Sequence, residues 1–178
     1  MINDVEKIFF SEEEIAKCVK ELGEKITEDY AGKEITLVCI LKGSMIFTAD
    51  LARQIKIPAA IDFMVASSYG TGTSTSGNVR ILKDLDHSIE GKHVIVIEDI
   101  IDSGVTLNYL LKNLSDRNPE SLKLCTLLSK PERRKVEVSV DYIGKIVPDY
   151  FLVGYGLDYA EKYRNLPFIG ILKPSVYE

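Results

Sequence analysis

Thiols and imidazoles are scarce in this chain of 178 residues, which holds three cysteines and two histidines. Cys18, Cys39 and Cys125 are far apart, odd in number and set among apolar neighbours, so they read as small buried hydrophobes. They show neither a disulfide framework nor metal-ligand spacing. His87 and His93 both stand beside polar turn residues, which argues against a histidine-rich metal site. No apolar run approaches the roughly 20 residues needed to span a bilayer. The opening Met1-Ile2-Asn3-Asp4 lacks the basic and apolar segments of a signal peptide, so a cytoplasmic protein is expected. A net charge of −5 and a pI near 5.2 argue against a general nucleic-acid binder. They leave room for an anionic small ligand, because local donors can outweigh net charge. No Walker A sequence occurs, and Gly70-Thr71-Gly72 fails as a dinucleotide fingerprint: its third glycine is misplaced and no helical pattern follows.

What is present is an ordinary globular balance, 46% apolar and 28% charged, at a length that fits one domain with a substantial core. Ser11-Glu12-Glu13-Glu14 reads as a capping box, followed by Ile15, Val19, Leu22, Ile26 and Tyr30 at helical spacing, with Gly32 as a stop. Ile35 to Leu41 is a continuous β-branched and apolar run, the mark of a strand buried on both faces. A helix is expected from about Ser44 to Ile55, and strands over Ala60 to Ala66, Val79 to Leu85, His93 to Ile97 and Leu122 to Leu128. A second helix runs from about Gly104 to Leu114. Strands alternating with helices predict an α/β fold with a mainly parallel sheet flanked by helices. After Lys130-Pro131 the helical patterning fades and aromatic residues gather, which predicts a small C-terminal hood over about residues 135–178 on a core of about residues 33–130, within a single domain spanning 1–178.

The strongest chemical signal is Val94-Ile95-Val96-Ile97-Glu98-Asp99-Ile100-Ile101-Asp102-Ser103-Gly104-Val105-Thr106. It is a buried strand, two adjacent acids, a third acid, then a small turn opening a helix. Ligands of open α/β sheets bind beyond the carboxyl ends of the strands, and amides at a helix start attract anions. Ser103, Gly104 and Thr106 are therefore placed to cradle a phosphate. Glu98 and Asp99 would repel that phosphate unless they hold ribose hydroxyls or a magnesium ion. Asp102, farther along, is left free to exchange a proton.

The segment resembles the phosphoribosyl pyrophosphate (PRPP) motif of type I phosphoribosyltransferases. More narrowly, Glu98-Asp99-Ile100-Ile101-Asp102-Ser103-Gly104 is similar to the hypoxanthine-guanine phosphoribosyltransferases, and Val105, where mammalian members carry lysine, points to their bacterial branch. The resemblance extends over nearly the whole chain. It implies that Glu98, Asp99, Ile101, Asp102, Ser103, Gly104, Val105 and Thr106 bind PRPP, and that Lys42, Gly43 and Arg164 bind pyrophosphate. It implies that Lys130, Phe151, Leu152 and Asp158 bind the purine, and that Ser68 and Tyr69 open a mobile catalytic loop over 68–77. Glu98, Asp99 and Asp158 would gather Mg²⁺. The turn at Leu41–Lys42 can hold a cis peptide in this family, and the assembly is a homodimer or homotetramer.

The implied reaction is purine salvage: a 5-phosphoribosyl group passes from PRPP to hypoxanthine or guanine, giving IMP or GMP and pyrophosphate. Asp102 would serve as general base near N7 of the purine. Lys130 can donate but not accept, so it would select a ring carbonyl over the amine of adenine. A related transferase preferring xanthine is the nearest alternative. From another class comes a PRPP-sensing regulator that binds nucleic acid, for which Arg133-Arg134-Lys135 is the best basic run.

Overall fold

The computed structural model describes residues 1–69 and 78–177. The expected catalytic loop at 68–77 thus lies outside the described residues, apart from the main chain of Ser68 and Tyr69 at the end of a strand.

Strand β1 (Val5–Phe10) leads into α1 (Glu12–Asp29). The capping box at Ser11 is formed: Glu14 N donates to Ser11 Oγ at 3.2 Å, and Ser11 N donates to Glu14 Oε2 at 2.8 Å. Ile15, Val19, Leu22, Ile26 and Tyr30 are all buried, so the sequence period is the core face. Then follow β2 (Ile35–Leu41), α2 (Met45–Gln54), β3 (Ala59–Tyr69), β4 (Asn78–Lys83), β5 (His93–Ile101), α3 (Val105–Ser115) and β6 (Ser121–Ser129). The chain ends with β7 (Tyr142–Ile146), β8 (Leu152–Val153), β9 (Ile169–Leu172) and a helical turn α4 (Pro174–Tyr177).

Six strands form one sheet in the order β4-β3-β2-β5-β6-β7, parallel except for the β3–β4 hairpin. Alternation along the strands sends Leu37, Ile95 and Ile97 to the face packed by Phe47 and Leu51 of α2 and the apolar stripe of α1. Val38, Ile40, Val94 and Val96 go to the opposite face, against Leu107, Leu110 and Leu114 of α3. Two-sided burial is why these strands read as unbroken apolar runs.

A second sheet, ordered β1-β9-β8, makes the hood. Two segments depart from the expected boundaries. Residues 5–10 belong to the hood although they begin the chain, pairing antiparallel with β9 through two register irregularities. Conversely β7, within the expected hood, extends the parallel core sheet beside β6. Both placements depend on partners distant in sequence, and neither segment carries a strong period of its own.

Candidate active site

Strand β5 is four residues longer than its apolar run, because its ladder with β6 continues through the acids to Ile101. The side alternation breaks there. Ile100 packs with the cluster around Ile97, and Ile101 with the cluster around Val96, the reverse of strict period-two order. Ile101 is buried, and its carbonyl accepts from Lys130 N at 2.9 Å, tying the ends of β5 and β6 together.

Beyond this point Asp102, Ser103 and Gly104 form the turn into α3. Gly104 is left-handed, with φ +78°. A Cβ there would stand 2.9 Å from the Val136 carbonyl oxygen and 3.1 Å from Arg134 Cδ, so a side chain fits neither the dihedral nor the space. The same close approach lets Lys135 N and Val136 N donate to Ser103 O at 2.9 and 3.2 Å. The start of α3 has no side-chain cap from Gly104. Its first turn opens on a cleft of about 260 Å³ whose walls include Glu98, Asp102, Ser103, Gly104 and Thr106. Val105 is half-buried at the same helix start. Val105 N makes one long bond, to Ser103 Oγ at 3.4 Å; first-turn amides and a glycine turn at the carboxyl end of a parallel strand make an anion site.

Glu98 and Asp99 lie close enough to interact. Burial, and then the neighbouring Asp99 carboxylate, pushes Glu98 well above the usual carboxylate range. Burial also raises Asp99, offset in part by hydrogen bonding from Glu98 and Ile100 N and by the charge of Arg164. Two hard oxygen ligands held together at a cost in repulsion suit Mg²⁺, which is commonly bound by one or two carboxylates plus substrate phosphates. The expected third carboxylate is not gathered with them. Among the described residues no three His, Cys, Asp or Glu side chains stand together as a metal cage. Asp158 is instead turned to Arg164, at 2.8 Å, and to Glu161 N, at 2.9 Å.

The Leu41–Lys42 peptide is cis, as the resemblance led us to expect. Gly43 follows, packed so that a Cβ would collide with the Asp99 carboxylate and its carbonyl abuts Gly156 of the hood. Lys42 is exposed, with Nζ 2.9 Å from Glu161 Oε2. Arg164 donates to Gly156 O at 2.7 Å and also approaches Glu161, at 3.5 Å. The two expected pyrophosphate-binding cations therefore meet at one carboxylate, that of Glu161.

Lys130 is buried, and its Nζ donates to Tyr150 O at 2.6 Å with Asp149 Oδ1 at 3.5 Å. Phe151 follows at once, partly exposed, with Tyr177 stacked on it at 4.6 Å and Tyr159 edge-on at 5.4 Å. The side chain of Leu152 is buried in the main core cluster. Arg133 reaches both Asp102, with Nε 3.3 Å from Oδ1, and Asp149, with Nη1 3.2 Å from Oδ1. Sequence reasoning does not single out Glu161, Asp149 or Tyr177, and it places Arg133 in a basic run. Only the i, i+3 spacing of Glu161 and Arg164 carries a local signal.

The phosphoribosyl transferase domain model matches residues 7–160. The chain is 53% identical to the hypoxanthine-guanine phosphoribosyltransferase of Bacillus subtilis over 178 residues, covering 100% of this chain and 99% of that one. The enzyme of the same name from Streptococcus thermophilus is 53% identical, with 98% and 97% covered. Among solved structures, a hypoxanthine phosphoribosyltransferase from Staphylococcus aureus superposes with a TM-score of 0.97 at 50% identity, covering 100% of this chain and 97% of that one. One named hypoxanthine-guanine phosphoribosyltransferase, from Bacillus anthracis, gives 0.92 at 53% identity, with 95% and 99% covered. Matched along its length in sequence and in fold, the chain belongs to the phosphoribosyl transferase family.

Proposed function

We infer that the protein catalyses purine salvage, transferring the 5-phosphoribosyl group of PRPP to hypoxanthine or guanine and releasing IMP or GMP with pyrophosphate. The observation that carries this reading is the buried Lys130 ammonium, held on Tyr150 O and Asp149 just before Phe151 and linked to Asp102 through Arg133. A lysine has three donors and no acceptor. Here one proton goes to Tyr150 O and one faces Asp149, leaving the third for a ring carbonyl.

The 5′-phosphate sits on the start of α3, held by Ser103, Gly104 and Thr106, with Val105 and Ile101 shaping the turn. Glu98 and Asp99 face the ribose. Breaking the anomeric bond leaves positive charge on the sugar and negative charge on pyrophosphate, which Lys42, Gly43 N and Arg164 receive. Glu98 and Asp99 would hold Mg²⁺ together with the substrate, and the ion would supply further charge neutralisation to the leaving group. Asp158 orients Arg164. Phe151 offers its ring to the purine and Leu152 its main chain. Asp102 takes the proton from the imidazole ring as N9 attacks. Residues 68–77, entered through Ser68 and Tyr69, act as a lid.

The free thiols Cys18, Cys39 and Cys125 support a cytoplasmic, reducing setting. Among the described residues no helix is long and apolar enough to cross a membrane. Exposed Ile61, Phe63 and Leu82 near one sheet edge support assembly as a homodimer or homotetramer. A panel of free bases with PRPP and Mg²⁺ tests the reading. Hypoxanthine and guanine should both yield nucleotide and adenine little; adenine turned over as fast as guanine would sink it. The regulator reading loses its basic run, because Arg133 pairs with carboxylates and Arg134 donates to Ser129 Oγ at 2.9 Å.

A further inference from the structure

Lys130-Pro131-Glu132-Arg133 closes as a 3₁₀ turn, with Arg133 N donating to Lys130 O at 3.3 Å. In that geometry side chains at i and i+3 eclipse, so the turn brings Arg133 onto the side of Lys130. From there its guanidinium spans two carboxylates that come from different parts of the fold. Asp102 belongs to the loop between β5 and α3, and Asp149 to the turn leading into the hood strand β8. Nε stands 3.3 Å from Asp102 Oδ1, while Nη1 donates to Asp149 Oδ1 at 3.2 Å. The same Asp149 oxygen lies 3.5 Å from Lys130 Nζ.

Asp102, Arg133, Asp149 and Lys130 thus form an unbroken chain of alternating charge. Its two ends are the groups read above as addressing N7 and the ring carbonyl, which neighbour each other on one edge of the purine. A further detail fits. Asp102 Oδ1 is shielded from solvent yet has no hydrogen bond, because Arg133 reaches it at ion-pair distance without a well-directed N–H. The contact anchors Oδ1 and so fixes the carboxyl, while the side chain stays half exposed and its other oxygen is left for a ring N–H.

Resting on the reading of Asp102 and Lys130 given above, we propose that Arg133 is a positioning residue for the purine. It sets Asp102 and, through Asp149, the Lys130 ammonium at a fixed spacing. A lysine cannot do this, because a single nitrogen cannot replace a planar fork reaching two carboxylates. Pro131 helps by presetting the first dihedral of the turn.

The test uses R133Q and R133K in the full chain, with kcat and KM for hypoxanthine and for PRPP, and Tm. Both variants should lose roughly 5- to 30-fold in kcat/KM for hypoxanthine, the scale of two partly exposed ion pairs combined with a misplaced reacting group. KM for PRPP and Tm should stay close to wild type, and R133K should recover little. In a double-mutant cycle, R133Q combined with D149N should lose no more than the worse single variant, as members of one chain do. Unchanged kcat/KM for hypoxanthine in R133Q, or an equal rise in KM for both substrates, overturns the proposal. D102N is measured alongside. If D102N is impaired while R133Q is not, the relay alone fails; if D102N turns over normally, the reading of Asp102 fails and the relay with it.

Discussion

In the six-stranded sheet the functional residues stand at the ends of regular strands, and in the hood they stand on a chain that has almost no regular structure. Glu98, Asp99 and Lys130 extend or follow β5 and β6, whose pairing skips Asp99 but resumes in the same register through Ile100 and Ile101. The hood stretch from Tyr155 to Tyr163 holds Tyr155, Ala160, Glu161 and Tyr163 at positive φ, and only Asn118 shares that feature elsewhere among the described non-glycine residues. L-residues enter that region at a cost of about 1–3 kcal/mol each unless their surroundings hold them. The surroundings here are visible. Tyr155 OH donates to Asp50 of α2 at 2.5 Å, Tyr163 OH to Asp4 at 3.0 Å, and Tyr155 N to Leu166 O at 2.9 Å. The sheet supplies position through local order; the hood borrows position from contacts made across the chain.

The largest effect should come from the side with regular structure. Asp102→Asn keeps the shape of the turn and removes the proton acceptor. Turnover should fall roughly 10²- to 10⁴-fold, the usual worth of a positioned general acid or base, while PRPP still binds to the helix start. Steady-state kinetics and PRPP titration decide it, and near-normal turnover would take Asp102 out of the mechanism. In the same assay a chelator should abolish nucleotide formation, since without Mg²⁺ the Glu98 and Asp99 carboxylates face an anionic substrate with nothing between them.

A smaller effect measures the grip between the two regions. Gly156 and Gly32 are both left-handed, at φ +101° and +75°. A Cβ at Gly32 meets nothing within 4 Å, whereas at Gly156 it would collide with the Gly43 carbonyl. Gly32→Ala should therefore cost only the dihedral, about 1 kcal/mol, and Gly156→Ala clearly more, with KM for PRPP raised as the Lys42–Gly43 turn shifts. Denaturant melts of both variants separate the two costs. Equal losses would mean that the hood rides on the core without gripping it there.

The same contrast governs what could be read from the sequence. Strands β2, β5 and β6 announce themselves because burial on both faces demands continuous apolar runs. Helix α1 is marked by its capping box, and the Asp102–Thr106 turn by its glycine and hydroxyls. Residues 5–10 give no such sign, since their partner is more than 150 residues away and the register slips twice. Tyr155, Ala160, Glu161 and Tyr163 are not turn-formers by type, so their backbone is set by tertiary contacts that no window of sequence contains. Phe151 is legible as an exposed ring near the base, but not its stack with Tyr177, nor the meeting of Lys42 and Arg164 at Glu161. Phe151 and Tyr177 are 26 positions apart and Lys42 and Glu161 are 119 apart, beyond any local pattern.

The smallest expected effect compares one carboxylate from each region under acid. Asp4 joins the hood through Tyr163, whose hydroxyl hydrogen bond is the main cause holding its carboxyl below the ordinary aspartate value of 3.8. Asp84 sits on the surface just after β4 of the larger sheet, where Arg117 donates to both its oxygens at 2.8 and 3.0 Å and depresses it likewise. A folded pKa below the unfolded one means that the folded state holds the charged form more tightly. The stabilisation is then complete above pH 3.8 and drains away as pH falls through the depressed folded value. At neutral pH both D4N and D84N should melt slightly below wild type, by little because both sites are largely exposed. As pH drops below 3.8 the gaps should close, since wild type becomes protonated and neutral there too. Added salt should narrow the D84N gap more than the D4N gap, because a full charge, Arg117, leads at Asp84, whereas at Asp4 the neutral Tyr163 donor leads and the Met1 ammonium, 3.3 Å away, comes second. Thermal melts of the three proteins from pH 7 to pH 3, at low and high salt, measure this. A gap that stays constant across that range would assign the loss to packing rather than to the carboxylate charge.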